Sequence, residues 1–341
     1  MAFSELVTTS RALGMGNAYI SRVDDHSSAF YNPAGFGSIR NPHIHLSNFH
    51  LETNRGWMNS TSGGSASSVP GNFMKGFSLD GTRELLNENR GRIANSRLQM
   101  MPNFTTRFFS MGYMYSSITR ATIGMEDDAP FEFATRRDHG PYTSLNISLW
   151  GGIFKLGATG VWLSRKEAFG ESDPEVEIDL QKEDYVKGQA LIVISGAKIT
   201  LPVRWLPTLS ARMNNSFDQK FSVSNTYFAA PETIKNSIDV GFSLTPKLSN
   251  MSWLHLEMNY KDVTSEYDAD SKRRLALGAE VDIARRFYFR LGLGDGFGSI
   301  GIGARANSWQ FDLTSYAVDS SASEFRGKED RRFALTVSSG L

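Results

Sequence analysis

Gly296–Phe297–Gly298–Ser299–Ile300–Gly301 matches the G-x-G-x-x-G pattern of dinucleotide-binding turns. That chemistry needs a strand before the glycines and a helix after them, whose amino terminus meets the pyrophosphate. Here a strand pattern follows, and Asp295–Gly296 reads as a hairpin turn, so the match is accidental. His43 and His45, two apart on a strand, share one face and could offer two imidazoles to a metal. No third ligand is identifiable, and a polar pair lining a lumen is the simpler reading. Asp268, Asp270 and Glu126–Asp127–Asp128 fall in loops without the glycine and distal glutamate of an EF-hand. They read as solvated loop charge, with weak ion or lipopolysaccharide-bridging contacts as the remainder. G-x-S-x-G, H-E-x-x-H and Walker A motifs are absent. The residue spacing points to no enzyme, no metal centre and no cofactor.

The elements that carry these residues repeat one pattern. Leu254, Leu256, Met258 and Tyr260 alternate with His255, Glu257, Asn259 and Lys261. The alternation returns in Leu275–Leu277–Ala279–Val281–Ile283, Phe287–Phe289–Leu291–Leu293, Trp309–Phe311–Leu313 and Phe333–Leu335–Val337–Ser339–Leu341. Successive strand side chains point to opposite faces, so each segment has one apolar and one polar face. Segments so long, regular and numerous fit a transmembrane β-barrel, with lipid outside and a polar lumen inside.

Composition agrees. Thirty-six basic and 36 acidic residues cancel, which argues against a nucleic-acid binder, and there is no cysteine for disulfides or thiolate metal sites. Mean hydropathy is −0.30. The longest run free of polar residues and glycine is Ala190–Ile194, far short of the ~20 residues of a membrane-spanning helix. Twenty-three Phe, 11 Tyr and 6 Trp suit aromatic girdles at two interfaces. Met1–Ser4 lacks the basic start and apolar stretch of a signal peptide. An outer-membrane protein must be exported, so the expectation is that a signal was removed and Met1 is not the native start.

Along the chain, residues 1–42 are rich in turns, and strand signals begin near 44–51. A long insertion, 52–103, carries a Gly/Ser tract at 60–68 and a helix-like piece near 82–93. Further strands are expected near 104–117, 130–138, 142–152, 153–165, 188–200, 205–217, 220–228, 236–245, 253–263, 273–283, 286–294, 297–306, 307–318 and 329–341. Single-chain bacterial barrels usually have an even number. Dropping the weakest segment, 220–228, leaves fourteen. The long, charged connections 116–130, 167–187, 264–272 and 319–328 read as external. The tight turns at Gly151–Gly152, Ala284–Arg285 and Ala306 read as periplasmic.

The segment Ala12–Phe36 resembles the amino-terminal signature of the FadL-like outer-membrane family, which includes long-chain fatty-acid and aromatic-hydrocarbon channels. The matching elements are Gly14 and Gly16 before Asn17–Ala18, the acidic pair Asp24–Asp25, and Phe30–Tyr31–Asn32–Pro33–Ala34–Gly35. More distant relatives are the PorV-like barrels of type IX secretion. The resemblance implies an all-β, 14-stranded antiparallel barrel in a bacterial outer membrane, residues 43–341, with residues 1–42 as a plug or hatch inside the lumen. It implies a gate at Asn32, Pro33, Ala34, Gly35 and Phe36, supported by Gly14, Gly16, Asp24, Asp25 and Tyr31. Turn chemistry alone would also explain the Asn-Pro-Ala run. Two departures stand out: the chain is shorter than typical fatty-acid channels, and Leu341 stands where such barrels usually end in Phe.

The function implied is passive uptake of a hydrophobic small molecule, such as a long-chain fatty acid, without covalent chemistry. Outer-membrane lipid or lipopolysaccharide and the hydrophobic ligand are the expected partners. The alternative is a PorV-like barrel that binds, shuttles or anchors an exported or surface protein. A general diffusion porin fits less well, because a plug obstructs free diffusion.

Overall fold

A strand with one apolar and one polar face is satisfied when it pairs on both edges and separates two media. The computed structural model describes residues 5–39, 42–62, 69–223, 230–306, 308–320 and 327–340, and in it the chain solves the problem as a closed antiparallel ring. Fourteen strands follow in chain order: β1 (His43–Asn54), β2 (Ile93–Met100 and Asn103–Thr105), β3 (Phe109–Ile123), β4 (Phe131–Leu149), β5 (Phe154–Ser172), β6 (Val186–Thr200), β7 (Thr208–Asn214), β8 (Ser237–Leu244 and Lys247–Ser249), β9 (Ser252–Tyr260), β10 (Leu275–Ile283), β11 (Phe287–Gly294), β12 (Phe297–Arg305), β13 (Trp309–Asp319) and β14 (Glu329–Gly340). Each pairs with the next, and β14 returns to β1, with Leu335 opposite Leu51. Strands β2 and β8 are each interrupted at a proline, Pro102 and Pro246, which cannot donate to the ladder.

Sidedness follows the alternation. Leu145, Ile147 and Leu291 are 61%, 62% and 61% exposed on the outer face. Their neighbours Ser144, Asn146 and Arg290 are buried on the inner one. His43 and His45 do share a face, and their partners Thr105 and Asn103 are buried. Asp295–Gly296, between paired Gly294 and Phe297, has positive φ at both residues, as two-residue type I′ hairpins require, and Ala284–Arg285 has positive φ at both within the three-residue connection between paired Ile283 and Phe287. The glycine-rich match at 296–301 is therefore a hairpin and a strand, with no helix behind it.

The ring is uneven in height. Strands β3–β6 run 15 to 19 residues, whereas β7 and β9–β12 run 7 to 9. One side of the wall thus rises well above the ~25 Å apolar band of an outer-membrane barrel.

The count of fourteen was reached in the sequence by two compensating differences. Segments 130–138 and 142–152 are one 19-residue strand, β4, which carries Gly140–Pro141 inside it. Ile93–Met100, read as part of the insertion, is the first piece of β2. Residues 220–223 form no strand, only an isolated pairing of Ser222 with Gln189, and 224–229 lie outside the described residues, as does Leu341. Among its described residues the insertion holds three helices, Arg55–Thr61, Val69–Lys75 and Leu79–Asn87, in place of one. Trp57 and Leu86 from these helices pack with Ala94, Ala121, Ile123 and Phe131, on the outer side of β2–β4.

Leu291 lies mid-strand on the lipid side. Leu291→Arg should lower barrel stability by about 2–4 kcal/mol, measured by denaturant unfolding in lipid vesicles. Substitution of an exposed loop residue such as Glu175 should leave stability within about 0.5 kcal/mol.

Candidate functional site

Residues 5–39 are almost wholly buried against the polar inner face of the wall. Local chemistry shapes them. Thr9 caps helix α1 (Ser10–Gly14), its hydroxyl accepting from the Ala12 amide at 3.2 Å. Helix α2 (Ser28–Tyr31) ends at Asn32, whose Oδ1 accepts from the Ala34 amide at 3.1 Å and opens a 3-10 helix, Pro33–Ser38. Pro33 takes the first helical position, where its missing N–H costs nothing.

Two seats hold this segment. Asn32 donates from Nδ2 to the carbonyls of Ile20 at 3.0 Å, Ala197 at 3.4 Å and Ala211 at 3.5 Å. The Asn32–Pro33 turn lies on Gly157 of β5 and Gly196 of β6, which face each other across the ladder. A Cβ on Gly196 would stand 2.0 Å from Asn32 Oδ1, and one on Gly157 2.3 Å from the Pro33 carbonyl carbon. The second seat takes the end of α1. The Gly16 amide donates to Ser299 Oγ at 2.9 Å, and that hydroxyl donates to the Gly14 carbonyl at 3.1 Å. Gly16 has φ +64°, and a Cβ there would lie 2.5 Å from the backbone of Leu293. The seats, on β5–β6 and β11–β12, are about half a turn apart in a ring of fourteen.

Between them runs an ionic chain. Arg11 grips Glu280 of β10 with two bonds, Nε at 2.9 Å and Nη2 at 2.7 Å. Its Nη1 reaches Asp24 at 2.9 Å and Asp25 at 3.1 Å. Glu280 also accepts from Arg290 at 2.7 Å, and Arg290 from its other end reaches Asp312 at 2.6 Å. Arg22 pairs with Asp24, and the Tyr19 hydroxyl donates to Asp25 at 2.7 Å. Burial alone would raise the Asp24 and Asp25 carboxyls. Arg22 and Arg11 instead hold Asp24 well below the usual carboxylate range, and His26 and Arg11 hold Asp25 at about 2.

One patch of the inner wall is different. Met114, Tyr142, Val161, Leu163, Ile192 and Ile194, from β3–β6, form an apolar face against Leu6, Val7, Phe30, Phe36 and Ile39. Phe30 meets Tyr142 edge-on with ring centroids 5.1 Å apart. This apolar patch is bordered by buried polar groups, among them the Arg165–Asp138 pair at 2.7 Å. Above the segment, toward the long loops, lies a cavity of about 700 Å³. Its floor includes Glu5, Thr8, Leu13, Gly16 and Asn17, and Ile118, Ala134, Phe169 and Phe297 contribute apolar surface to its sides. Charged groups, among them Glu52, Arg97, Arg120 and Lys261, ring it as well.

No family model and no curated protein matches the chain. Solved structures do. The TodX deltaS2S3 mutant monoaromatic hydrocarbon channel aligns with a TM-score of 0.60 at 8% identity, over 98% of this chain and 98% of that one. The TodX deltaS2 mutant gives 0.55 at 8% identity, over 98% and 97%. The CymD monoaromatic hydrocarbon channel gives 0.52 at 10% identity, over 99% and 98%. This chain has the FadL-like outer-membrane channel fold. At such identities the likeness speaks for the architecture alone.

Within this FadL-like barrel the residues singled out in the sequence fall in three places. Asn32, Pro33, Ala34, Gly35 and Phe36 form one buried turn on β5–β6. Gly14 and Gly16 occupy the opposite seat. Asp24 and Asp25 join Arg11 between them, and Tyr31 packs edge-on against Tyr19 at 5.4 Å. Sequence reasoning missed Arg11, Glu280, Arg290, Gly157 and Gly196. Isolated glycines inside strands were the available signal for the last two, since they mark close backbone approach.

Gly157→Val should unseat the Asn32–Pro33 turn at a cost of about 1–3 kcal/mol. Amide exchange across residues 28–38 should rise while the barrel stays folded by its heat-shifted gel mobility. The pH response follows from depressed carboxyls, whose stabilisation is complete above their ordinary range and lost as pH falls through the folded values. A nitroxide at Ser38 should stay immobile down to pH ~4 and loosen as pH approaches ~2, because the Asp25 carboxyl drops from its ordinary 3.8 to about 2.

Proposed function

We propose that this protein is an outer-membrane channel for passive uptake of hydrophobic small molecules, with residues 1–42 as a hatch inside the barrel formed by 43–341. The observation that carries the reading is the cavity of about 700 Å³ at the long-loop end, floored by a buried segment that meets an apolar inner wall. A molecule that water repels gains little from an aqueous pore and much from a greasy path toward the bilayer. The TodX and CymD neighbours, named monoaromatic hydrocarbon channels, support the cargo class.

In this reading Asn32, Pro33, Ala34, Gly35 and Phe36 form the gate. Asn32 is the hinge of the turn, because it bonds the segment's own backbone and the wall together. Gly14, Gly16, Asp24, Asp25 and Tyr31 support it by keeping α1 in its seat. Transport is binding and release coupled to a local shift of the hatch, with no covalent step. Outer-membrane lipid or lipopolysaccharide surrounds the wall.

Native mass spectrometry of the detergent-purified barrel, with solvent extraction of the same sample, tests this. A stoichiometric apolar small molecule should accompany the protein and be lost from Asn32→Ala. A barrel that carries no such molecule but retains a protein partner would overturn the reading and make the protein a carrier or anchor.

A further inference from the structure

The short-turn end of the barrel carries a charge that the chain's overall balance hides. Its connections, 106–108, 150–153, 201–207, 250–251, 284–286 and 306–308, contain Arg107, Arg204, Arg285 and Arg286 and no acidic residue. Lys247 and Arg305 stand on the strand ends beside them. Two of the long connections are the reverse. Glu126, Asp127 and Asp128 fall in one, and 173–185 holds six acids against one basic residue, Lys182.

Three of the six short turns repeat one dipeptide. Arg107–Phe108 joins β2 to β3, Arg204–Trp205 joins β6 to β7, and Arg286–Phe287 leads into β11. These turns are four strands apart, so the pairs stand at separate points of the rim. In each pair the arginine is exposed and the aromatic is half or more exposed. The Arg107 guanidinium lies 5.9 Å from the Phe108 ring centre, and that of Arg204 lies 5.5 Å from the Trp205 ring. Among the described residues none of these three arginines meets a carboxylate, whereas Arg11, Arg165, Arg212 and Arg290 inside the barrel all do.

The backbone holds this surface outward against local preference. Trp205 and Leu206 take φ +72° and +46°, and Trp150 takes φ +50°, a left-handed region that bulky residues avoid. With Trp309 at the start of β13, also exposed, the tryptophans form a girdle of the kind that marks where a barrel wall passes from hydrocarbon to headgroups. A guanidinium next to a ring at that level stands among lipid phosphates, whose oxygens its fork can grip in pairs.

We propose that the short-turn rim binds anionic phospholipid, with Arg107, Arg204 and Arg286 each holding a headgroup phosphate and Phe108, Trp205 and Phe287 packed beside the same lipid. The inference goes beyond the channel reading, because it concerns the lipid outside the wall and not the cargo within it. The sign of the rim selects the lipid. A zwitterionic headgroup brings an ammonium that these acid-free turns cannot pair, whereas phosphatidylglycerol brings none. The acid-rich long connections repel the same surface, so an anionic leaflet favours this end of the barrel over the other.

The test is native mass spectrometry of the full chain in detergent with an equimolar mixture of phosphatidylglycerol and phosphatidylcholine of matched acyl chains. The parent is compared with the triple variant Arg107→Gln, Arg204→Gln, Arg286→Gln. A second triple variant, Lys182→Gln, Lys220→Gln, Lys272→Gln, removes the same charge from exposed residues at the long-loop end. Heat-shifted gel mobility establishes that each protein is folded. The parent should retain phosphatidylglycerol in preference, and each rim arginine removed should lower that preference by about fivefold, the effect of one basic side chain at an anionic surface. The lysine variant should keep the preference of the parent. Equal retention of the two lipids by the parent would overturn the proposal, as would an undiminished preference in the arginine variant. An equal loss in both triple variants would assign the preference to net charge and overturn the rim. Cargo is not a readout here, so none of these results bears on the channel reading.

Discussion

Backbone N–H and C=O groups inside hydrocarbon can bond only to one another, and this constraint shapes everything else in the molecule. It forces the sheet to close, which β14 does against β1. A ring of fourteen strands encloses more space than its own inward side chains can fill, unlike a ring of eight. Here residues 5–39 lie buried against that inner face, with their polar groups matched to it.

The matching is mostly electrostatic. Arg11, Glu280, Arg290 and Asp312 are each nearly inaccessible to solvent, and isolated charges at such depth would be costly. Arranged alternately in sign and sharing hydrogen bonds, they become a scaffold. Breaking one member would leave its partner buried and uncompensated, an effect worth about 3–5 kcal/mol in comparable sites. The apolar patch has no such directionality. Contacts among Phe30, Ile192 and Ile194 slide and part more readily than a two-pronged arginine grip, so the two kinds of contact differ in how easily they yield.

The alternation of Leu254, Leu256 and Met258 made the wall legible in the sequence, because lipid imposes one rule on every outward position. Where the outward face meets something else the signal fades. Ala94 of β2 lies beneath Trp57 and Leu86, so the strand lacks a greasy stripe and hides within the insertion. Gly140–Pro141 imitates a turn but is carried inside β4 by its pairing with Met114 and Tyr113 of β3. Within the site, the run Asn32–Pro33–Ala34 was visible because its chemistry is local. Glu280 and Gly196 were not, because their importance depends on what faces them, and register between distant strands cannot be read from one of them.

The two seats also impose an order of assembly. Gly16 meets Ser299, which lies 283 positions later, and Asn32 meets Ala197, which lies 165 positions later. Residues 5–39 have nowhere to dock until β5, β6, β11 and β12 are in place. Contacts so distant in sequence form late, after the loop between them has been closed at an entropic cost. Residues 5–39 thus take their places after the strands that receive them, and the finished ring confines them.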